Sequence, residues 1–175
     1  MTAQFSVRDA RPTDGAALAA IYNPYIRDTV ITFELDEVTD RDMAARVAKI
    51  QGAGLPWLVA TDDHTVLGYA YAGPFRERAA YVHTLETSIY LDVGAAGRGI
   101  GRSLYAELFS QLSGLDPARC VHAPIHALLG GIALPNDASV ALHEKFGMTH
   151  VGTMGQVGRK FDTWIDVGFW QLELD

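Results

Sequence analysis

Six residues near the middle of the chain, Gly97-Arg98-Gly99-Ile100-Gly101-Arg102, combine three glycines with two cations between a strand-like and a helix-like segment. Glycines let a backbone turn tightly and approach a ligand, and the first N–H groups of a following helix point outward without partners. With the helix dipole, those donors make an anion site suited to a pyrophosphate. The dinucleotide fingerprint G-x-G-x-x-G does not fit, because the third glycine comes one residue early and Arg102 stands in its place. A Walker loop needs Gly-Lys-Ser/Thr, and the turn has no lysine. From residue types alone, the turn is an anion-binding loop or a plain glycine-rich turn. Arg76 and Arg78 follow Pro74-Phe75, where a guanidinium fork could hold an oxyanion or merely face solvent. His122 and His126 have the i, i+4 spacing of a helical metal pair, but Pro124 between them spoils it, and no metal is expected.

These residues need elements to hold them. Phe5 to Arg8 reads as a short strand, and Thr13-Asp14 as the cap of a helix carrying Leu18, Ile21 and Tyr22. Thr39 with Asp42 makes a capping-box pattern for a second helix, whose stripe is Met43, Val47 and Ile50 and whose end is Gly52 or Gly54. Trp57 to Ala60 and Val66 to Tyr71 flank the polar Thr61 to Thr65 turn as a hairpin. Tyr81 to Leu91 reads as a long third strand, followed by the glycine turn and a helix with Leu104, Tyr105 and Leu108. Ile125 to Leu134 has the nearly continuous apolar run of a strand buried on both faces. Asn136 caps a helix with Val140, Leu142 and Phe146, closed by Gly147, and His150 to Val157 and Trp164 to Leu174 form a last pair of strands. This order predicts an α/β domain with a largely antiparallel sheet, not a doubly wound one.

A length of 175 residues suits one domain, here 1–175, with no repeat or linker to divide it. A net charge of -7 argues against broad nucleic-acid binding, which needs a basic face. Cys120 is the only cysteine, which excludes an intramolecular disulfide. No run approaches membrane-spanning length and Met1 to Arg11 is too polar for a secretory signal, so the expected location is the cytoplasm.

Several separated segments, in order, carry a resemblance. They are Pro56-Trp57-Leu58-Val59-Ala60, Ala70-Tyr71-Ala72-Gly73-Pro74-Phe75, Thr84 to Leu91, the glycine turn, Leu134 to Gly147, and Trp164-Ile165-Asp166-Val167-Gly168-Phe169-Trp170-Gln171. From about Arg8 to the C-terminus the chain resembles GNAT acetyltransferases, specifically the phosphinothricin and methionine sulfone acetyltransferases. Gly99 and Gly101 match the last two fixed positions of that family's pyrophosphate loop, Gln/Arg-x-x-Gly-x-Gly/Ala. Ala96 stands where Gln or Arg is usual, and Asp116 to Pro124 is several residues longer than in relatives.

The resemblance implies a seven-stranded mixed sheet, mostly antiparallel, split between its fourth and fifth strands and flanked by helices, with acetyl-CoA in the opening. It implies that the backbones of Ile89, Tyr90 and Leu91 pair with the pantetheine arm and that the N–H groups of Gly97, Arg98, Gly99, Ile100, Gly101 and Arg102 hold the pyrophosphate. Asn136 would reach the pantetheine while also capping its helix. Glu86 is implied as general base and the Leu91 N–H as oxyanion donor. His143 occupies a helix position where many relatives carry a tyrosine proposed to protonate the leaving sulfur; an imidazole there could act as acid, as base, or by orienting a water. Arg76 and Arg78 would hold a carboxylate, sulfone or phosphinate, with Phe33, Phe75, Tyr81, Glu86 and Thr87 around the acceptor. The implied activity is acetylation of the α-amine of a methionine sulfone, sulfoximine or phosphinothricin-like compound by a homodimer. Another primary amine, or a coenzyme sensor without catalysis, are the alternatives; membrane and nucleic-acid partners are not expected.

Overall fold

The structure, a computed structural model, describes residues 5–63 and 65–174. Seven strands form one sheet: β1 (Ser6–Asp9), β2 (Trp57–Asp62), β3 (Thr65–Pro74), β4 (Thr84–Leu91), β5 (Ala127–Leu134), β6 (Thr149–Lys160) and β7 (Thr163–Glu173). Their spatial order is β1-β2-β3-β4-β5-β7-β6, and every pairing is antiparallel except β4 with β5. Four α-helices flank it: α1 (Gly15–Asp28), α2 (Asp40–Gly52), α3 (Ile100–Ser113) and α4 (Asp137–Lys145).

Two helix starts follow from side-chain capping, whereas Asp14, expected with Thr13 to cap α1, makes no such bond because its carboxylate accepts from the Arg8 guanidinium and the Arg11 N–H. Thr39 accepts from the Asp42 N–H while Asp42 accepts from the Thr39 N–H, which satisfies two end donors reciprocally. Asn136 accepts from the Ser139 N–H at 3.2 Å, and Gly147, at φ +82°, turns the chain out of α4. On one face of the sheet Met43, Val47, Leu18 and Ile26 pack over Trp57, Val59 and Tyr69. On the other, Leu104, Tyr105 and Leu108 of α3 pack over Leu58, Ala70, Leu85 and Leu128.

Three boundaries differ from the sequence reading. β4 starts at Thr84, not Tyr81, because Ala79–Tyr81 coils into a 3₁₀ turn and the Phe75 N–H already bonds the Thr84 carbonyl. β5 starts at Ala127, two residues after Ile125, and Gly131 within it is exposed, so the strand is not buried on both faces throughout. β6 runs on to Lys160, and Phe161 and Asp162 turn it into β7 with φ of +50° and +56°, the geometry of a two-residue hairpin. The Thr61 to Thr65 turn is also shorter than expected, since β2 runs through Asp62 and β3 begins at Thr65; His64 lies outside the described residues.

The feature that matters most is a parting of neighbours. β4 and β5 pair over three rungs, Thr84 with Ala127, Leu85 with Leu128 and Glu86 with Leu129. Beyond Glu86 the strands separate, while β4 keeps its register with β3 through Leu91.

Candidate active site

The separation leaves one edge of β4 open from Thr87 to Leu91. The Asp92 N–H bonds Leu67 on the β3 side at 2.9 Å, and the Thr84 carbonyl bonds Phe75 on that same side. With a period of two, even-numbered residues of β4 turn their backbone groups toward β3, and Ile89 and Leu91 turn theirs into the opening. Tyr90, by the same alternation, pairs its backbone with Tyr69 of β3 and offers its ring to Tyr22 and Tyr25 of α1. The Tyr25 hydroxyl donates to the Leu91 carbonyl at 2.6 Å, so the Leu91 N–H is left facing the opening.

At the end of this edge the chain turns through Gly97 and Gly99, with φ of +76° and +79°. A Cβ at either would meet nothing within 4 Å, so the glycines are there for their left-handed backbone and not for space. Gly99 caps α3, and the first closing bond of that helix runs from Ser103 N–H to the Gly99 carbonyl at 3.1 Å. The N–H groups of Ile100, Gly101 and Arg102 therefore point off the helix end as an anion cradle. Arg98 is tied to Asp62 at 3.2 Å, which fastens the turn to the β2–β3 hairpin, and Arg102 is exposed.

A cleft of about 260 Å³ fills the opening, lined by Thr32, Phe33, Glu86 to Tyr90, Tyr105, Gly131, Asn136, Ser139, His143 and Phe169 among others. Successive residues of β4 point to opposite faces. Glu86 faces α1 and α2, half-buried, with no hydrogen-bond partner among the described residues. Burial raises its pKa above the ordinary carboxyl value and the Arg76 guanidinium opposes the rise.

Thr87 faces α3, where its hydroxyl lies 3.3 Å from both the Tyr105 oxygen and the Leu129 carbonyl. Tyr105 is fully buried and sits 3.0 Å from His143 Nε2, while His143 Nδ1 lies 2.7 Å from the Ser139 carbonyl. A carbonyl only accepts, so Nδ1 carries the proton and Nε2 accepts from the tyrosine hydroxyl. Burial lowers the His143 pKa, with the Ser139 bond opposing, which keeps the ring neutral at physiological pH.

The expected acceptor contacts divide into two groups. Phe33, Glu86 and Thr87 line the cleft, whereas Phe75, Arg76, Arg78 and Tyr81 line a second, open groove beside it. There Arg76 stacks over Phe75 at 4.9 Å, and Tyr81 meets Phe75 edge-on at 5.6 Å. The Asn136 side-chain carbonyl bonds its helix, which leaves the amide hydrogens for a ligand.

Sequence reading missed Tyr25, Tyr105 and Phe169. Each sits in an apolar pattern that looks like core, and only the packing shows their polar ends or faces at the cleft. It also missed Lys160, whose buried ammonium donates to the Thr32 carbonyl at 2.8 Å and so anchors the loop carrying Phe33 to the end of β6. No group of three or more metal-ligating side chains occurs among the described residues, and no helix there is long and apolar enough to cross a membrane.

Residues 7–168 match the model of the acetyltransferase (GNAT) domain family. The chain is 40% identical over 176 residues to phosphinothricin N-acetyltransferase of Streptomyces coelicolor, covering 99% of this chain and 98% of that one. It is 36% identical to the L-methionine sulfoximine/L-methionine sulfone acetyltransferase of Salmonella typhimurium, covering 97% and 95%. Among solved structures, a phosphinothricin acetyltransferase from Sinorhizobium meliloti in complex with AcCoA superposes with a TM-score of 0.88 at 35% identity, covering 99% and 89% of the two chains.

Proposed function

Because this chain belongs to the GNAT acetyltransferase family, we propose that it acetylates the α-amine of a small acidic amino-acid-like acceptor. The acceptor is of the methionine sulfone, methionine sulfoximine or phosphinothricin type, as the names of its relatives suggest. The observation that carries the reading is the opening of the sheet after Glu86, with an unpaired strand edge ending in an anion cradle.

The residues fit acetyl-CoA, which when bound supplies an acyl group activated as a thioester. Ile89 and Leu91 present main-chain donors and acceptors to an extended arm, as a sheet edge does to an added strand. Gly97 to Arg102 hold the pyrophosphate on backbone N–H groups, and the Asn136 amide reaches the arm from α4. Ala96 offers no side chain to that end, so the backbone carries the contact. Glu86 takes the proton from the acceptor ammonium, a contribution of roughly 10²–10⁴-fold for a positioned base. Its raised pKa brings it nearer the pH at which it works. The Leu91 N–H lies five strand residues, about 16 Å, beyond Glu86, so it serves the arm and not the oxygen on which negative charge grows. His143, neutral and with both nitrogens engaged, acts as the acceptor that orients the Tyr105 hydroxyl at the cleft. Arg76 and Arg78 take the acceptor's acidic end, with Phe33, Phe75 and Tyr81 as walls and Thr87 tied to Tyr105 beneath the cleft.

The reading includes a cytoplasmic homodimer. Exposed Val151, Val157, Phe161 and Trp164 on the outer hairpin support a face covered by a second copy.

Thiol release measured over a panel of amines tests the reading. Methionine sulfone and phosphinothricin should be preferred over spermidine and over uncharged amines. Arg76→Ala or Arg78→Ala should raise the KM for the acidic acceptors by a factor corresponding to about 1.5–3 kcal/mol, the worth of a hydrogen bond to a charged group. Preference for the polyamine would replace the acidic acceptor with a cationic one.

A further inference from the structure

Two adjacent glycines, Gly130 and Gly131, lie inside β5, which is paired with β4 on one side and with β7 on the other. Glycine weakens a strand interior, and where it is kept another group usually approaches closely. Neither residue is among the glycines with positive φ, so the backbone shape does not require them. Space does. A Cβ built on Gly130 would stand 2.5 Å from His143 Nε2 and closer still to Cδ2 of that ring. A Cβ on Gly131 would stand 2.9 Å from Glu86 Oε1 and 3.4 Å from Phe169 Cε1. Real Cβ atoms essentially never come within 3.0 Å of such neighbours, so something must shift: at Gly130 the buried imidazole, and at Gly131 the free end of the Glu86 side chain, which can swing aside at little cost and so leaves its place.

Because consecutive strand residues point to opposite faces, the two notches open on opposite sides of the sheet. One receives the imidazole from the α3 and α4 side, the other the carboxylate from the α1 and α2 side. We propose that Gly130 and Gly131 are positioning residues for the acetyl transfer, a paired seat that sets His143 and Glu86 on the two sides of one cleft. This rests on the roles given to those two side chains above. Gly131 leaves the carboxylate room to lie against the strand at the last paired rung of β4, in the space that a Cβ would take. Gly130 lets the imidazole approach the strand closely enough for Nε2 to accept from Tyr105.

Gly131→Ala is the direct test, made on the full chain with acetyl-CoA and methionine sulfone. The expected result is a fall in kcat of tenfold or more and a displaced acid limb in the pH profile of kcat, with acetyl-CoA affinity by calorimetry within about twofold of wild type. Combining Gly131→Ala with Glu86→Asp should cost less than the product of the two single effects, because the shorter side chain clears the added methyl. Thermal melts of Gly131→Ala, Glu86→Ala and their double variant follow the same conflict without needing activity: any destabilisation by Gly131→Ala should appear only while the Glu86 side chain is present. Gly130→Ala should change the imidazole nitrogen resonances of His143, and Gly131→Ala should not.

Wild-type kcat and pH profile in Gly131→Ala, or multiplicative effects in the Glu86→Asp pair, would overturn the proposal. So would equal destabilisation with and without the Glu86 side chain. Glu86→Gln at wild-type turnover is a different failure, since it removes Glu86 from the reaction and leaves the stability coupling intact.

Discussion

Replacing Glu86 with glutamine should slow the reaction and strengthen the fold, and the second effect has a pH signature that follows from the cleft. The carboxylate is half-buried, has no hydrogen-bond donor among the described residues, and is helped only by the exposed Arg76. Desolvation therefore dominates and raises its pKa above the ordinary value of 4.5. An acid whose folded pKa is raised favours folding below its unfolded pKa and loses that contribution as pH rises through the folded one. At pH 8 the ionised side chain opposes folding, by about 1.4 kcal/mol for each unit of the rise. Glutamine has the same shape and no charge, so Glu86→Gln removes that opposition. In a chain of this length 1 kcal/mol corresponds to roughly 2–4 °C in Tm, and the variant should melt above wild type at pH 8. The gap should narrow as pH falls through the raised folded pKa toward 4.5. Turnover should fall at least about tenfold while acetyl-CoA still binds. Melting scans from pH 4.5 to 8.5 with parallel thiol-release assays provide both readings. A variant less stable than wild type at pH 8, or a pH-independent gap, would show that the carboxylate is solvated or has partners, and the physical basis for a tuned base would be lost.

Two further outcomes follow from the geometry. Tyr105→Phe removes the only proton available to His143 Nε2 among the described residues, and an unsatisfied buried acceptor costs about 1–3 kcal/mol; chemical denaturation should show that loss, together with a lower kcat and an unchanged acetyl-CoA Kd. Gly99→Val places a β-branched residue at φ +79°, a conformation costing about 1–2 kcal/mol for a residue with a Cβ, and calorimetry should show weakened acetyl-CoA binding. Unchanged affinity there would place the pyrophosphate elsewhere.

What could be read from the residues was what local chemistry decides. The Thr39 and Asn136 caps, the stripe of α2 and the left-handed Gly99 each rest on a few neighbouring residues, and each has the expected geometry. The long third strand shows the opposite case. Tyr81 to His83 have good strand propensity, yet His122 of the 116–126 segment bonds the Val82 carbonyl at 2.8 Å and His83 bonds the His122 carbonyl at 3.1 Å, beside a 3₁₀ turn. Those partners lie about forty residues away, and propensity yields to such tertiary context. Tyr105 was hidden for a similar reason. Its position on the stripe of α3 marks it as core, which it is, and its hydroxyl gains meaning only when α4 brings His143 to 3.0 Å. Gly130-Gly131 looked like part of an apolar strand because the groups that fill the missing Cβ positions come from β4 and α4.

The place where pairing stops explains why the chemistry sits where it does. Glu86 is opposite Leu129 in the last rung between β4 and β5, so its backbone is held on both sides. Ile89 is three residues further on and Leu91 five, each held only by β3 and free to receive an arm on the other side. One strand thus carries the Glu86 carboxylate and an open ladder of backbone donors with no loop between them. A free ladder is ordinarily a hazard, since unpaired edges invite other chains. Here the Tyr25 hydroxyl takes the Leu91 carbonyl, and α1 and α3 shield the edge from opposite faces. Because even and odd residues of β4 face opposite sides, only such a break lets a carboxylate on one face and an imidazole on the other border the same space.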